Sequence, residues 1–255
     1  MSQTIWTRCG EKSSCRRLSG RAWRVVEAQH VVSTRKLVDT LEEQELLEEL
    51  IDKQKPPAPE ESVFVGLHPL LATPFRYPPL RYGSRFGQRH ERGIWYGSVS
   101  LPTALAEVAY YRLVFLDGTT ANIAPIAELT AFTAGYASES GADLTRTPFD
   151  KFGGQISSPT NYAEAQTLGS AMRADGVEVF HYRSARDRGG GTNLGLFTPK
   201  AFSSKRPGRE LATWVCYASR MRVDFLRKNL VSRREKLIFP RTDFEVGGVL
   251  PAPAL

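Results

Sequence analysis

The chain has 255 residues and a mass of 28.4 kDa, with 41% hydrophobic and 24% charged residues, enough for one large domain or one domain with an added subdomain. This ordinary globular composition excludes a disordered, collagen-like or coiled-coil chain. The formal charge of +7 comes from 34 Lys and Arg against 27 Asp and Glu, and a basic surface suits nucleic acid, nucleotides or an acidic partner protein, against the plainer reading of a solvated basic face.

The charge gathers in residues 1–24, 76–92 and 220–241. Cys9, Cys15 and Cys216 cannot build a disulfide framework and fit a reducing compartment. Cys9 and Cys15 have no second pair to complete a zinc set. No apolar run approaches the roughly 20 residues of a membrane span, and no apolar core follows the basic N-terminus as in a secretory signal. The expected location is cytoplasmic, away from membranes.

In chain order, residues 1–20 are polar and Ser/Arg-rich and read as a loose basic arm, with the arm ending at residue 21. Ala22–Val26 is short and β-branched, a first strand. Ser33 is placed as a helix N-cap, followed by an apolar stripe of Leu37, Val38, Leu41, Leu47, Leu50 and Ile51 over a glutamate-rich face. Pro56, Pro57 and Pro59 end this helix in a stiff linker. Residues 63–92, punctuated by Pro74, Pro78 and Pro79 and rich in aromatics and arginine, read as irregular chain of the kind that carries function.

Ile94–Val99 reads as a strand. Pro102 sits at the first position of a helix that turns Leu105, Val108 and Phe115 inward, and Arg112–Leu116 reads as turning toward strand before a hairpin signal at Asp117-Gly118. A strand near Leu129–Tyr136, a Gly/Ser/Thr/Pro loop, and a helix over Tyr162–Ala174 closed by Gly176 follow. Val177–Tyr182 and Leu194–Phe197 read as strands joined by an Arg/Gly loop, and Ala212–Leu226 as a final strand. The order suits an α+β domain.

Phosphate loops, dinucleotide fingerprints, HExxH, CxxC and the GxSxG elbow are all missing from the sequence. Its four histidines, His30, His68, His90 and His181, are too dispersed to predict a metal site. What remains is an arginine-rich segment, a strand carrying Tyr96, and a helix with one acid. Arg85, Tyr96 and Glu107 recur at intervals of eleven residues. Glu107 lies among Leu105, Ala106, Val108 and Ala109, where a half-buried carboxylate needs a cationic or hydrogen-bonding partner. The plain alternative is a solvated helix glutamate beside surface arginines.

The string GSRFGQRHERGIWYGSVSLPTALAEVAYYR resembles the RES domain, the toxin half of RES–Xre toxin–antitoxin pairs: Arg85-Phe86-Gly87, Tyr96 and Ala104–Glu107 match in order and spacing. NYAEAQTLGSAMRADGVEVFHYRSARDRGGGTNLGLF, with Gln166, Ser184 and Arg186, resembles the family's second half, and AWRVVEAQH its first strand, with Arg24 at the early arginine. The likeness spans about residues 22–198. The family's Arg-Trp-Asn turn is Arg-Phe-Gly here, and its serine falls either at Ser184 or a few residues before Gln166, at Tyr162-Ala163. The resemblance implies a split β-sheet core similar to ADP-ribosyltransferase toxins in residues 22–200. It also implies a helical insertion at 33–60 and a C-terminal extension at 201–255 packed on the same domain.

The resemblance further implies NAD as substrate, no bound cofactor or metal, and an Xre-type antitoxin as partner; a homo-oligomer is left open. Cleavage of the nicotinamide–ribose bond builds an oxocarbenium-like transition state and releases neutral nicotinamide. One carboxylate therefore suffices where ordinary glycosidases need two. Glu107 would steady that charge, Arg85 and Arg24 would hold phosphates, and Tyr96 would pack on nicotinamide or the ribose. Ser184 would orient Glu107 or bind the nicotinamide amide, and Arg76, Tyr82 and Gln166 would complete the substrate-binding set. The acceptor is left open among water, phosphate and a protein side chain. A non-catalytic basic module binding nucleic acid or an acidic protein is the reading from another class.

Overall fold

The computed structural model describes residues 4–28, 40–54, 61–77, 81–120, 124–228 and 235–253. Residues 4–21 are not a loose arm. Helix α1 (Ile5–Arg8) is capped by the Thr4 side chain, and a 3-10 turn then leads into strand β1 (Arg16–Glu27). Ile5, Trp6 and Cys9 are buried in a cluster with Phe149 and Phe152. The Trp6 indole stacks on Phe149 at 5.7 Å and donates Nε1–H to Asp175 at 2.7 Å. Two large apolar residues on a four-residue helix anchor the segment although they show no periodicity.

Helix α2 (Leu41–Gln54) follows, and Leu46 and Leu50 on it stay exposed. The N-cap expected at Ser33, the stripe residues Leu37 and Val38 and the prolines 56–59 lie outside the described residues. The irregular reading of residues 63–92 is corrected in part. Pro69 opens helix α3 (Pro69–Arg76), and Pro74 is tolerated within its last turn, where a missing N–H costs only one bond before the helix stops.

Strand β2 (Trp95–Ser98) leads to helix α4 (Leu101–Asp117). Ser100 caps α4 by accepting from Thr103 N–H, and Pro102 sits in its first turn. The helix runs unbroken to its cap at Gly118, so there is neither strand nor hairpin at 112–118. Leu105, Ala109, Leu113 and Leu116 carry the buried face, whereas Phe115, expected inside, is 57% exposed.

Strand β3 (Ile126–Asp143) has 18 residues, more than twice the expected length, because both of its edges are paired. Helices α5 (Gly153–Ile156) and α6 (Ala163–Ala174) precede β4 (Val179–Arg183) and β5 (Thr192–Leu196). The final strand expected at 212–226 is a hairpin of β6 (Leu211–Ala218) and β7 (Arg222–Arg227), extended by β8 (Lys236–Pro240).

The eight strands form one mixed sheet in the order β1-β2-β5-β4-β3-β6-β7-β8, with β1 also paired to β3. Five strands thereby close a ring, and β6–β8 extend it from β3. The ring is weakly closed: β1 meets β2 only at Trp23↔Ser98, while β1 and β3 run together from Arg16 to Glu27. Helix α4 packs on the extension, with Leu105, Ala109 and Leu113 in one cluster with Trp214 and Phe225. The gap between β1 and β2, covered by α4, is where a cavity opens.

Candidate functional site

A cavity of about 520 Å³ lies in that gap, and Arg24, Arg85, Tyr96 and Glu107 all line it. Strand β1 supplies Arg24, β2 supplies Tyr96 and α4 supplies Glu107. Arg85 comes from the turn before β2, which is built to hold its shape. Gly83 has φ +78°, a left-handed conformation that glycine adopts without steric cost, and a β-carbon there would overlap the Gly87 carbonyl oxygen. The Tyr96 hydroxyl accepts from Phe86 N–H at 3.1 Å and shares a 2.9 Å hydrogen bond with Ser84 Oγ. From the other side the Gln166 amide donates to the carbonyls of Tyr82 (2.9 Å) and Ser84 (3.0 Å). Gly169 lets α6 approach so closely that a β-carbon would overlap the Phe86 carbonyl.

Arg85 is 9% exposed. Its Nη1 donates to the Ser158 carbonyl at 2.7 Å and its guanidinium lies 4.4 Å from the centre of the Tyr162 ring. Arg24 donates to the Tyr96 carbonyl at 2.6 Å and lies over Trp95, and its buried Nε has no hydrogen-bond partner. Burial pulls Arg24 down to about 10, still charged at neutral pH. One layer behind the cavity, Arg186 is 3% exposed, stacks on Tyr110 at 3.6 Å and donates to the Pro159 carbonyl, leaving buried Nη1 without a partner. Three desolvated guanidiniums are thus held by carbonyls and rings, with no carboxylate ion pair among the described residues.

The one carboxylate in the inner cavity is Glu107, half-buried. Ser184 Oγ accepts the N–H groups of Arg186 and Asp187, both at 3.0 Å, so its own proton points to Glu107 Oε1 at 2.7 Å. Asn193 Nδ2 donates to the same oxygen at 2.6 Å, and Asn193 Oδ1 accepts from Ser98 Oγ at 2.6 Å. The Ser98↔Asn193 register of β2 and β5 sets this contact. Both donors hold Oε1; Oε2 accepts no hydrogen bond among the described residues. The two hydrogen bonds fix the direction of the carboxylate, and Glu107 lines the cavity. Burial pushes the Tyr96 phenol up to about 12, so it serves as a neutral anchor of the arginine turn rather than as an acid or base.

Of the residues singled out in the sequence, Arg24, Arg85, Tyr96 and Glu107 come together, with Ser184 directly behind Glu107. Gln166 braces the arginine turn from outside the lining. Arg76, at the end of α3, and Tyr82, 50% exposed, do not line the cavity. Sequence reasoning missed Asn193, Ser98, Ser84 and Tyr162. Asn193 carried a signal: asparagine is depleted in strands, and one inside the apolar run NLGLF implies a buried partner. Among the described residues no cluster of His, Cys, Asp and Glu is arranged to hold a metal ion, and no helix is long and apolar enough to cross a membrane.

Among the described residues, the basic C-terminal run is largely compensated. Arg222 and Lys236 pair with Asp224, Arg227 with Glu235, Lys228 with Glu128, and Arg241 with Asp117 and Glu245. At the cavity, Arg24 and Arg85 have no carboxylate partner among the described residues, whereas Arg112 pairs with Glu27.

The family model described as the RES domain matches residues 63–216, a span that includes every site residue above except Arg24. A solved structure, the M. tuberculosis MbcT–MbcA toxin–antitoxin complex, aligns over 77% of this chain and 85% of its own, at 13% identity and a TM-score of 0.45. No curated protein matches the chain.

Proposed function

The chain belongs to the RES-domain family, and from that premise we propose that it is a toxin-like enzyme that cleaves NAD at the nicotinamide–ribose bond and depletes cellular NAD. The observation that carries this reading is the pairing of one carboxylate, oriented by hydrogen bonds from Ser184 and Asn193, with desolvated arginines that lack a carboxylate partner among the described residues. A buried cation without a counter-ion is costly, and an anionic ligand removes that cost. A pyrophosphate supplies the matching charge, and guanidinium forks suit its oxygens.

At the glycosidic bond, positive charge develops on the ribose as nicotinamide departs. Glu107 lines the cavity and its direction is fixed through Oε1; an oriented charge stabilises the transition state without reorganising. Tyr96, neutral, offers a ring face beside it. Nicotinamide leaves uncharged, so a second carboxylate acting as acid is not required. The reading extends to a core of the ADP-ribosyltransferase type, with β1 and β2 parting around the cavity, and to a cytoplasmic setting in which an Xre-type antitoxin restrains the enzyme. A nucleic-acid module is less well supported, because it has no use for Glu107 and most of the described C-terminal cations are already paired.

The test is release of nicotinamide from NAD by the purified chain, with and without phosphate, beside Glu107→Gln. The wild-type chain should release nicotinamide, with phosphate deciding between hydrolysis and phosphorolysis. The variant should fold and lose about 10²–10³ in turnover. Undiminished cleavage by a folded Glu107→Gln protein would remove Glu107 from the reaction.

A further inference from the structure

Helix α4 carries two large aromatic residues that the core does not use. Tyr111 and Phe115 are 56% and 57% exposed, on a helix whose other apolar positions are mostly buried. They follow Glu107 at intervals of four residues, so all three share one helix face, and all three line the same cavity. At about 1.5 Å per residue, Phe115 lies about 12 Å along the helix from Glu107. The opposing wall at this outer end is apolar, with Val25 and Leu129. The rim carries a charge pair, Arg112 Nη2 to Glu27 Oε1 at 2.6 Å.

The cavity therefore has two unlike ends, the inner one with the carboxylate and the desolvated arginines, whose Glu107 and Arg85 act on the Tyr111 hydroxyl, the outer one with the open Phe115 ring and the exposed part of the Tyr111 ring over an aliphatic floor. A ligand complementary to both is an anion with a flat ring at its far end. We propose that the outer end is a purine subsite, which holds the adenine of the dinucleotide between Tyr111, Phe115 and the aliphatic wall. This rests on the NAD reading and extends it to what the enzyme requires of its substrate: a purine nucleotide joined to the reacting half. Stacking suits a base because every base offers a π-face, and removing an aromatic platform weakens binding by roughly tenfold or more per base.

ADP tests the subsite without any bond cleavage, since it carries the purine and pyrophosphate and lacks nicotinamide. Calorimetric titration should show wild-type binding, weakened about tenfold or more in Tyr111→Ala and in Phe115→Ala. Tyr111→Phe and Phe115→Tyr, which keep a ring, should remain close to wild type. Inorganic pyrophosphate should lose less affinity than ADP in the alanine variants. Failure of wild-type ADP binding, equal losses for ADP and pyrophosphate, or alanine variants that bind ADP like the wild type would each overturn the subsite. The two readings separate cleanly. A wild-type chain that binds ADP through these rings but releases no nicotinamide refutes the cleavage and leaves the subsite standing. One that cleaves NAD while ADP affinity ignores both rings refutes the subsite alone.

Discussion

Replacing Asn193 by Asp tests the anionic role of Glu107 more sharply than deleting Glu107 itself. In the wild type Asn193 Nδ2 lies 2.6 Å from Glu107 Oε1, and Asn193 Oδ1 accepts from Ser98. Asn193→Asp preserves size and the Ser98 contact but turns a donor toward Glu107 into a second acid. Two carboxylate charges with centres about 4 Å apart repel by about 4 kcal/mol at an effective dielectric of about 20. The pair therefore keeps one shared proton to a higher pH than an isolated carboxyl does. With that proton the pair carries the net charge of a single carboxylate, and the introduced acid donates to Oε1 in place of the amide; once the proton leaves, two like charges face each other and the donor that fixes Glu107 is lost. Nicotinamide release by Asn193→Asp, relative to wild type at each pH, should be closest to wild type at the acid end of the range and fall by about tenfold as pH rises. Asn193→Ala removes one donor and adds no titrating group, so its loss, about tenfold, should be uniform with pH. Identical pH profiles for the two variants, or an Asn193→Asp rate that tracks wild type throughout, would refute the assignment of Asn193 as the residue that positions Glu107.

Three further outcomes follow from the packing. Arg85→Lys keeps the charge but loses the planar stack on Tyr162 and the fixed contact with Ser158; kcat/KM should fall by about 2–4 kcal/mol, and near-wild-type turnover would remove Arg85 from the site. Trp6→Ala should cost about 3–5 kcal/mol in denaturant unfolding, because Trp6 is 1% exposed and stacked on Phe149; a loss below about 1 kcal/mol would return the N-terminal segment to the status of an arm. His181 is half-buried beside Tyr136, 2.9 Å from its hydroxyl, and burial holds its pKa below the usual value. The folded state therefore binds that proton less readily than the unfolded state. Stability is full above the unfolded value of about 6.5 and should fall as pH drops below it. Melting temperatures at pH 7 and pH 5 should differ more for wild type than for His181→Gln, and equal differences would exclude His181 as a source of acid sensitivity.

The parts of the fold legible in the sequence are those whose cause is local. Helices α4 and α6 announce themselves through Pro102 at the start of one and Gly176, with φ +80°, just past the end of the other. Strands β2, β4 and β5 fall where short apolar runs end in turn residues. Elements set by tertiary pairing were legible only in part. Strand β3 is rich in Ala, Gly and Ser, with little intrinsic strand preference, and reaches 18 residues only because β1, β4 and β6 pair along it. Phe115 failed as a core residue for a related reason. Helical spacing identifies a face, but only the position of the sheet decides whether that face meets the core or an open cavity.

The site divides along the same line. Arg85, Tyr96 and Glu107 lie within 23 residues and form a turn, a strand and a helix in succession, so their order in the sequence already implied proximity. The residues that make Glu107 usable come from elsewhere. Ser184 and Asn193 lie 77 and 86 positions away, and a one-residue slip of β5 against β2 would turn Asn193 to the opposite face. A motif can thus name the charged group while the register supplies what fixes its direction. Gln166 shows the converse: it sits at a recognisable position, but its amide goes to two backbone carbonyls, and its contribution is the shape of the turn that carries Arg85. A carboxylate held through one oxygen and free at the other depends on strand pairing as much as on the residue itself. For that reason Glu107 and Asn193 are expected to respond to substitution as one unit rather than additively.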